Sequence, residues 1–452
     1  MPQRRLSLLQ AVSLNMATMI GMGPFITIPL FVGKVGGPHA LLGWLLGALV
    51  ALADGLVWCE LATAFPGSGG TFHFYDAIYG RGRLGRMLKF LFVWQFLISA
   101  PMELATGGIG LGHYATFLFP GLSGPLWSLS IGGKAWQITR GQALAIAFVA
   151  GGVTLAYRRI EVTGRMMVVL WVGVLITMFT MIGVGIVHFD AALAFDVPEG
   201  AFTVNRRFAI GLGGALAIAM YDFLGYYQIC YLGDEVREPA RNLPRAILIS
   251  VVAVASLYLA MNLGILGVLP WRDVVASNHV ASDFMVRTLG GRAAVVITVL
   301  VIWTGAASLF AGILGYSRVP YAAALSGDFF KALGATHPKG DFPHRSLLLM
   351  GGLTATACLF DLDTVIAALL ASRIWVQFVG QIATVFHLRS DPALRAKLSF
   401  RMALFPLPAV VALAGWVWVF ATTDTLPMAL ALATVALGCL IFLARERRPQ
   451  SG

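Results

Sequence analysis

Charged residues are scarce in this chain. They make up 12% of its 452 residues, whereas an ordinary soluble domain has about 25%. Apolar residues account for 58%, and the mean hydropathy is +0.81. So few charges cannot cover the surfaces of the roughly three soluble domains that the length alone would suggest. The composition therefore predicts a polytopic membrane protein.

The sequence also lacks the motifs of several functional classes. No GxxxxGK[ST] stretch occurs, which excludes an ATP-driven pump carried on this chain. No HExxH or GxSxG stretch occurs either, so we predict neither a metal site nor an enzyme. The cysteines show no CxxC spacing, and we expect neither zinc nor a disulfide-linked subunit. The four cysteines, all in apolar stretches, are Cys59, Cys230, Cys358 and Cys439.

Twelve apolar runs are long enough to cross a bilayer, which takes about 17–25 residues in a helix. The ninth is the shortest. The predicted spans lie near residues 8–33, 40–64, 87–118, 141–157, 166–188, 208–233, 245–269, 293–324, 346–361, 365–388, 402–421 and 427–444.

The basic residues lie mainly on one side of these spans. With the N-terminus inside, 23 of the 32 lysines and arginines fall in cytoplasmic segments, eight fall outside, and Arg373 lies within span 10. This asymmetry predicts a multi-pass protein of the cell membrane, plasma or inner, with both termini in the cytoplasm. The formal net charge of +11 then reflects topology. We therefore expect contact with membrane lipid and no nucleic-acid partner.

Two spans are interrupted in their middle. Span 1 contains Gly21, Gly23 and Pro24, which remove helix propensity and one backbone donor. Span 6 contains Asp222 close to Gly225, and an acid at that depth is costly unless it faces a polar cavity. Paired interruptions five spans apart are typical of a transporter site between inverted repeats. A simple kink remains the alternative for the first break taken alone.

Four stretches carry a family resemblance. Residues 21–25 read GMGPF, residues 221–225 read YDFLG, residues 235–246 read EVREPARNLPRA, and residues 60–72 contain EL followed by PGSGGTF. They resemble the broken first and sixth helices, the loop after helix 6, and the stretch before helix 3 of the amino acid–polyamine–organocation transporters. Ser317 and Arg318 suit the end of helix 8 in that family.

The resemblance implies an all-α fold of twelve transmembrane helices, with a LeuT-like 5+5 inverted repeat and broken helices 1 and 6. It divides the chain into a cytoplasmic tail (1–7), a first repeat (8–188), a second repeat (208–388), and two further helices with a cytoplasmic tail (389–452). The implied activity is transport by alternating access. It would be coupled to a proton or ion, or proceed by exchange, with no cofactor other than a coupling proton or sodium ion.

The same resemblance implies a substrate site at the two breaks. The substrate carboxylate would meet free N–H groups near Gly21 to Gly23, because such groups favour anions. The ammonium would meet carbonyls near Ile20 and Tyr221, and the Tyr221 ring is a candidate gate. The predicted substrate-binding residues are Ile20, Gly21, Met22, Gly23, Tyr221, Asp222, Phe223 and Gly225.

Apart from Asp361, the last residue of span 9, four acids fall inside the predicted spans. We expect Glu60, near a cytoplasmic end, to pair with a loop arginine. Asp54 is either satisfied by helix packing or linked to a proton. Glu103 and Asp222 are predicted coupling residues, since an acid at mid-membrane needs a proton or a cationic partner. Arg373 is an alternative partner for one of these two acids, in a purely structural role.

Two hydroxyls complete the candidate coupling site. Thr304 and Ser308 lie four residues apart on one face of helix 8, which supplies sodium ligands in sodium-coupled relatives of the wider fold. The alternative is that each hydroxyl bonds a carbonyl of its own helix.

Three functions stay open at this point. The leading hypothesis is a secondary active carrier of amino acids, driven by a proton, a sodium ion or exchange. A carrier of polyamines or cationic amino acids is the second, motivated by Asp222 and Glu103. A sensor without transport, or an intramembrane enzyme, is the remote alternative.

Overall fold

The structure of the chain is a computed structural model that describes residues 6–67, 69–131, 134–157, 164–233, 235–338 and 342–446. Most of the predicted tail 1–7 lies outside these residues, as does Ser68 of the loop motif. Several basic residues of the predicted cytoplasmic segments also lie outside them: Arg4, Arg5, Arg158, Arg159, Lys339, Arg447 and Arg448.

Helices dominate the first half of the described chain. The α-helices are α1 (Leu8–Met19), α2 (Gly23–Ile26), α3 (Ile28–Val35), α4 (Leu42–Ala64), α5 (Thr71–Tyr79), α6 (Arg83–Leu118), α7 (Arg140–Tyr157), α8 (Gly164–Val187), α9 (Ala191–Ala194) and α10 (Arg206–Phe223). Short 3-10 helices cover Pro38–Leu41, Pro120–Ser123 and Gln228–Tyr231.

The second half is helical as well. Its α-helices are α11 (Pro239–Leu266), α12 (Trp271–Ala276), α13 (Val280–Thr288), α14 (Gly291–Tyr316), α15 (Arg318–Leu325), α16 (His344–Ala357), α17 (Leu362–Arg373), α18 (Gly380–Ser390), α19 (Pro392–Arg395), α20 (Leu407–Thr422) and α21 (Thr425–Glu446). A π-helical turn, Ile374–Val379, joins α17 to α18, and a 3-10 helix covers Lys331–Gly334.

Among the described residues, seven helical segments are long and apolar enough to cross a membrane. Two shorter apolar helices, Val172–Val187 and Leu407–Thr422, accompany them. The chain is therefore a polytopic, multi-pass membrane protein, as its composition predicts. The seven segments are Leu8–Ile26, Pro38–Ala64, Arg83–Leu118, Pro239–Leu266, Gly291–Leu325, Leu362–Ser390 and Thr425–Glu446.

Small residues allow α4 and α10 to pack closely. A Cβ added at Gly43 would lie 2.9 Å from the Cβ of Ala215, and one added at Gly47 would lie 2.7 Å from the Cβ of Ala219. The spacing of four residues on both helices places the small positions on one face of each. Close contact of this kind stabilises membrane helices, for which lipid removes much of the hydrophobic driving force.

One element departs from the all-α prediction. Two strands, β1 (Pro125–Ile131) and β2 (Lys134–Thr139), pair antiparallel within the predicted loop 119–140. Leu126 and Trp127 are exposed on this hairpin. The sequence PLWSLSI partly alternates between apolar and polar residues, which is the pattern of a strand rather than of a span.

The start of α1 is fastened to the loop that follows the sixth predicted span. The N–H of Leu6 donates to the carbonyl of Glu235 at 3.0 Å, and the N–H of Arg237 donates to the carbonyl of Leu6 at 3.0 Å. We call this side of the molecule, with the end of α4, the N-terminal face. The side where α3 ends is the opposite face.

Candidate functional site

The first predicted break is present in the structure. Helix α1 ends at Met19, residues 20–22 are not helical, and α2 begins at Gly23. Pro24 occupies the first turn of α2, where its missing N–H leaves no bond unmade within the helix. We call residues 20–22 the helix-1 break.

The second break begins three residues later than the sequence predicts. Helix α10 continues through Phe223, so Tyr221 and Asp222 lie in its last turn and not in the unwound segment. The N–H of Leu224 closes this turn on the carbonyl of Tyr221 at 3.1 Å. That carbonyl therefore keeps only one lone pair for a substrate ammonium. We call residues 224–227 the helix-6 break.

Glycine is required in the helix-6 break for two reasons. Gly225 has a φ of +107°, in a region that side chains rarely tolerate. A Cβ at Gly225 would also lie 2.6 Å from the methyl group of Thr18. The helix-6 break therefore lies against the last turn of α1, which leads into the helix-1 break.

Two buried polar side chains hold the breaks together. Asn15 of α1 donates to the carbonyl of Tyr226 at 2.7 Å and accepts from the N–H of Ile229 at 2.9 Å. The hydroxyl of Tyr258 on α11 lies 2.8 Å from the carbonyl of Met19 and 3.4 Å from that of Asp222. These contacts satisfy backbone groups that the missing helical turns leave free.

The carboxyl group of Asp222 lies directly at the helix-1 break. The hydroxyl of Thr27 donates to Oδ2 at 2.6 Å, and Asp222 is 3% exposed. Within the described part of the chain, Oδ1 has no hydrogen-bond partner. A Cβ at Gly23 would collide with this oxygen. The acid therefore occupies the space beside the glycine that the resemblance assigns to substrate.

The other predicted substrate-binding residues point in different directions. Tyr221 lies beside Gly23, and its hydroxyl lies 2.6 Å from that of Thr106 on α6. Phe223 instead packs edge-on against the buried Trp44, with ring centroids 5.7 Å apart. The Met22 sulfur points towards α6 and α14, where a Cβ at Gly110 would lie 3.0 Å from it. Of these three side chains, Tyr221 is the one that contacts both the start of α2 and α6.

Glu103 forms a charged cluster with Arg373. Nη2 of Arg373 donates to Oε2 of Glu103 at 2.6 Å, and the guanidinium also donates from Nε to Ser99 at 3.0 Å. The hydroxyl of Tyr316 donates to Oε1 of Glu103 at 2.7 Å. The Arg373 side chain is 3% exposed and that of Glu103 is 22% exposed. The structure thus contains the acid–arginine pair named as an alternative.

The remaining two acids are satisfied by protein groups. Oδ2 of Asp54 accepts from the Tyr226 hydroxyl and from Nε1 of Trp58 at 3.0 Å, and Trp416 lies 3.4 Å from Oδ1. Asp54 therefore fits the packing alternative. Glu60 pairs with Arg389, which lies in the last turn of α18. The predicted arginine partner is confirmed.

The two hydroxyls of α14 differ from each other. Thr304 donates to the carbonyl of Leu300 at 2.9 Å, which is the bond expected of a hydroxyl satisfied by its own helix. Ser308 is half-buried and faces the helix-1 break, because a Cβ at Gly21 would lie 3.3 Å from its Oγ. Among the described residues, no cluster of three or more His, Cys, Asp or Glu side chains could hold a metal ion.

Two cavities open on the opposite face, of about 590 and 630 Å³. Phe25 and Ile26 of α2 line the second one, so it extends towards the helix-1 break. Asp363 lines both cavities and pairs with Lys34 of α3 at 2.5 Å. This ion pair joins the last turn of α3 to the first turn of α17 on the opposite face.

Sequence reasoning missed several residues of the site. Thr27, Thr106, Tyr258 and Tyr316 each bond a predicted site residue, and Asn15 bonds the backbone of the helix-6 break. All five are polar residues within the apolar spans predicted from the sequence. A search for every polar side chain within the spans, and not only for acids, would have found them.

A comparison with known protein families identifies the family of this chain. The sequence model of the amino acid permeases matches residues 6–444. This chain belongs to the amino acid permease family. The resemblance read from the loop and helix-break motifs is confirmed.

Three relatives illustrate the range of the family. The permease is 24% identical to a serine/threonine exchanger of Bacillus subtilis, over 99% of this chain and 98% of that protein. It is 28% identical to Asc-type amino acid transporter 1 of Homo sapiens, over 79% of this chain and 66% of that protein. It is 29% identical to an uncharacterised transporter of Mycobacterium tuberculosis, over 78% of this chain and 73% of that protein. The family and its relatives are transporters and not enzymes, as predicted.

Proposed function

We propose that this permease is a secondary active carrier that moves amino acids across the cell membrane by alternating access. The observation that carries the proposal is the meeting of two broken helices around Gly23 and Asp222. The names of the exchanger from Bacillus subtilis and of the Asc-type transporter, which specify serine, threonine or amino acids, support the substrate class.

The proposed topology is twelve crossings with both termini in the cytoplasm. Each of the twelve spans read from the sequence contains helical residues, and this supports the count. We assign residues 8–188 and 208–388 to the two inverted repeats of a LeuT-like fold, and 389–452 to the last two helices and tail. The five-span distance between the breaks supports this assignment. Function without a disulfide-linked subunit stays a prediction.

The proposed substrate site lies between the breaks. The backbone N–H groups from Gly21 to Gly23 would receive the substrate carboxylate, and the carbonyls near Ile20 and Tyr221 would receive the ammonium. Tyr221 would close over the substrate, because its ring lies within reach of Gly23. Because Gly225 has no side chain, the helix-6 break can lie close to Thr18 of α1.

The proposed coupling ion is a proton carried by Asp222. This acid has an unpaired oxygen, whereas Glu103 already has an arginine partner. Oxygen ligands for sodium are less favoured, since the hydroxyl of Thr304 bonds its own helix, which leaves Ser308 alone on that face. Obligate exchange, as in a carrier without a driving ion, is the other mode to be tested.

A second candidate substrate class is polyamines or cationic amino acids. The unpaired Oδ1 of Asp222 favours it, because an ammonium group would supply the missing partner. In that case the acid stays ionised and binds substrate directly. Neutral amino acids would then be poor substrates.

The deciding experiment is a substrate screen in proteoliposomes with alanine, serine, arginine and a diamine. We expect saturable uptake of alanine or serine that an inward proton gradient increases. Uptake restricted to arginine or the diamine would support the second candidate. Binding of these solutes without any uptake would contradict both and favour a sensor without transport.

A further inference from the structure

A cavity of about 330 Å³ opens on the N-terminal face, where α18 ends. Its volume is at the lower end of the range for small-molecule sites, which is about 300–1,000 Å³. None of the residues that line it is acidic. The lining residues are Arg389, Ser390, Pro392, Arg395, Ala396 and Arg401.

Arg389 is a fixed cation at the inner end of this cavity. Its Nε donates to Glu60 at 3.0 Å, and Nη2 contacts both Glu60 and the carbonyl of Met402. The guanidinium also stacks on the ring of Phe405, 4.1 Å from its centroid. Nη1 has no partner within the described residues. A guanidinium held in one orientation offers its remaining donors without further loss of side-chain freedom.

Arg395 and Arg401 supply the other two cations. Both are exposed, and neither forms an ion pair with a described residue. The nearest acid in sequence, Asp391, already accepts from the N–H groups of Ala393 at 2.8 Å and Leu394 at 3.2 Å. The positive charge of the three lining arginines is therefore only partly balanced, by the carboxylates of Glu60 and Asp391. Guanidinium groups bind phosphate oxygens, like carboxylate oxygens, with two parallel hydrogen bonds.

Exposed apolar side chains follow Arg401, the last lining residue of the cavity, along the chain. Leu404 is 76% exposed, Leu407 is 55% exposed and Val410 is 46% exposed. Leu404 adopts a φ of +58°, an uncommon conformation for a leucine. Leu407 and Val410 are three residues apart on the apolar helix α20, so they share one face. A headgroup in the cavity would place its acyl chains along this face.

From this arrangement we propose that the cavity binds the phosphate headgroup of an anionic phospholipid. The two exposed arginines and Arg389 hold the phosphate, and Leu404 with the exposed face of α20 contacts the acyl chains. Basic pockets at the cytoplasmic ends of membrane helices attract anionic headgroups in this way. The proposal concerns a surface remote from the helix breaks and does not depend on which solute the permease carries.

The test uses the full-length chain purified in detergent, with thermal unfolding and native mass spectrometry as readouts. Phosphatidylglycerol, phosphatidylcholine and inorganic phosphate are added separately. The variant is Arg395→Gln with Arg401→Gln. The matched control is Arg81→Gln with Arg245→Gln, which removes the same charge from exposed positions of the same face outside the cavity. Arg401→Gln alone is the second variant, in case the double variant unfolds.

We expect phosphatidylglycerol to raise the melting temperature of the parent and of the control. The variants should bind it at least about tenfold more weakly and retain fewer copies in the mass spectrum. Phosphatidylcholine and inorganic phosphate should have little effect. Equal stabilisation of the parent, variant and control by phosphatidylglycerol would overturn the proposal, because it would reflect surface charge alone. Equal stabilisation by inorganic phosphate would overturn the assignment to a lipid.

Discussion

Glu103 and Asp222 are both carboxyl groups inside the helical bundle, but their surroundings differ. Glu103 has a guanidinium at 2.6 Å and a tyrosine hydroxyl at 2.7 Å, so both of its oxygens are bonded. Asp222 has one hydroxyl donor and an oxygen without a partner among the described residues, although it is the more buried of the two. The comparison separates an acid that is paired with a cation from an acid that has no such partner among the described residues.

The difference follows from the cost of a buried charge. An ionised carboxylate away from water needs a cation and hydrogen bonds to offset its lost hydration. The Glu103 cluster provides both. Among the described residues, Asp222 has neither a cation nor a full set of donors, and we therefore propose that a proton or a bound ammonium completes its site. Position in the sequence does not reveal this, because both acids lie in the middle of a predicted span.

The largest effect is expected from crowding the unpaired acid. Gly23→Leu should reduce uptake to background, because its Cβ would collide with Asp222 Oδ1 and lie 3.3 Å from the Tyr221 ring. The matched control is Gly151→Leu on α7, where a Cβ would meet nothing within 4 Å. The measurement is uptake by equal amounts of folded, monodisperse protein. Normal uptake by Gly23→Leu would remove the helix-1 break from the site.

The second largest effect is expected from breaking the ion pair between Glu103 and Arg373. Glu103→Ala should lower the free energy of unfolding by about 3–5 kcal/mol, since it leaves the Arg373 guanidinium buried and unpaired. Replacing both residues by methionine should recover most of this loss, because no charge then remains buried. Asp222→Asn should change stability little or raise it. Denaturation in detergent measures the free energy of unfolding of all three variants. Equal losses of stability for Glu103→Ala and Asp222→Asn would contradict the proposed difference between the two acids.

A smaller effect is expected at the proposed gate between the two acids. Tyr221→Ala should weaken the apparent affinity for substrate by about tenfold or more, which is about 1.4 kcal/mol. Tyr221→Phe should weaken it less, since it loses only the hydroxyl contact with Thr106. Competition of unlabelled against labelled substrate provides the affinities. An unchanged affinity in Tyr221→Ala would place the gate elsewhere, for instance at Tyr227.

The smallest effect concerns an acid outside the spans, Asp283 at the start of α13. Burial alone would raise its pKa, but hydrogen bonds from His279 and Ser277 and the His279 charge outweigh burial, and the net pKa lies below the ordinary 3.8. Its contribution to stability is therefore present above about pH 4 and is lost as the pH falls through the lowered pKa. Because the group is half-exposed, we expect less than about 1 kcal/mol. We measure the melting temperature of the parent and of Asp283→Asn at pH 5 and at pH 3. The drop between the two pH values should be smaller for the variant, and an equal drop in both proteins would contradict the prediction.

The sequence was sufficient to predict the family, the membrane class and the approximate position of both breaks. Each rests on local chemistry: two glycines with a proline in span 1, and an acid close to a glycine in span 6. The exact start of the helix-6 break was missed, because Tyr221, Asp222 and Phe223 are all compatible with a helix and only Gly225 needs a positive φ.

What the sequence could not predict are contacts between distant segments. Glu103 and Arg373 are 270 residues apart, and nothing local distinguishes this pair from Asp222 with Arg373. The hydrogen bond from Asn15 to the helix-6 break joins residues 211 positions apart in the sequence. Its acceptor is a backbone carbonyl, which every residue has, so the sequence does not indicate it. The π-helical turn after Arg373 is a further example, since its sequence, IWVQFV, is compatible with an ordinary α-helix. Only tertiary packing decides such contacts.

The central claim is that Asp222 changes its charge during the transport cycle. The most direct measurement compares gradient-driven uptake with counterflow exchange for Asp222→Asn in one proteoliposome preparation, with alanine, arginine and a diamine as solutes. Asparagine resembles the protonated acid in shape and cannot release a proton. The account predicts that proton-driven accumulation of alanine is lost while alanine counterflow persists. Full retention of both modes for every transported solute would contradict the claim and make Asp222 a structural residue.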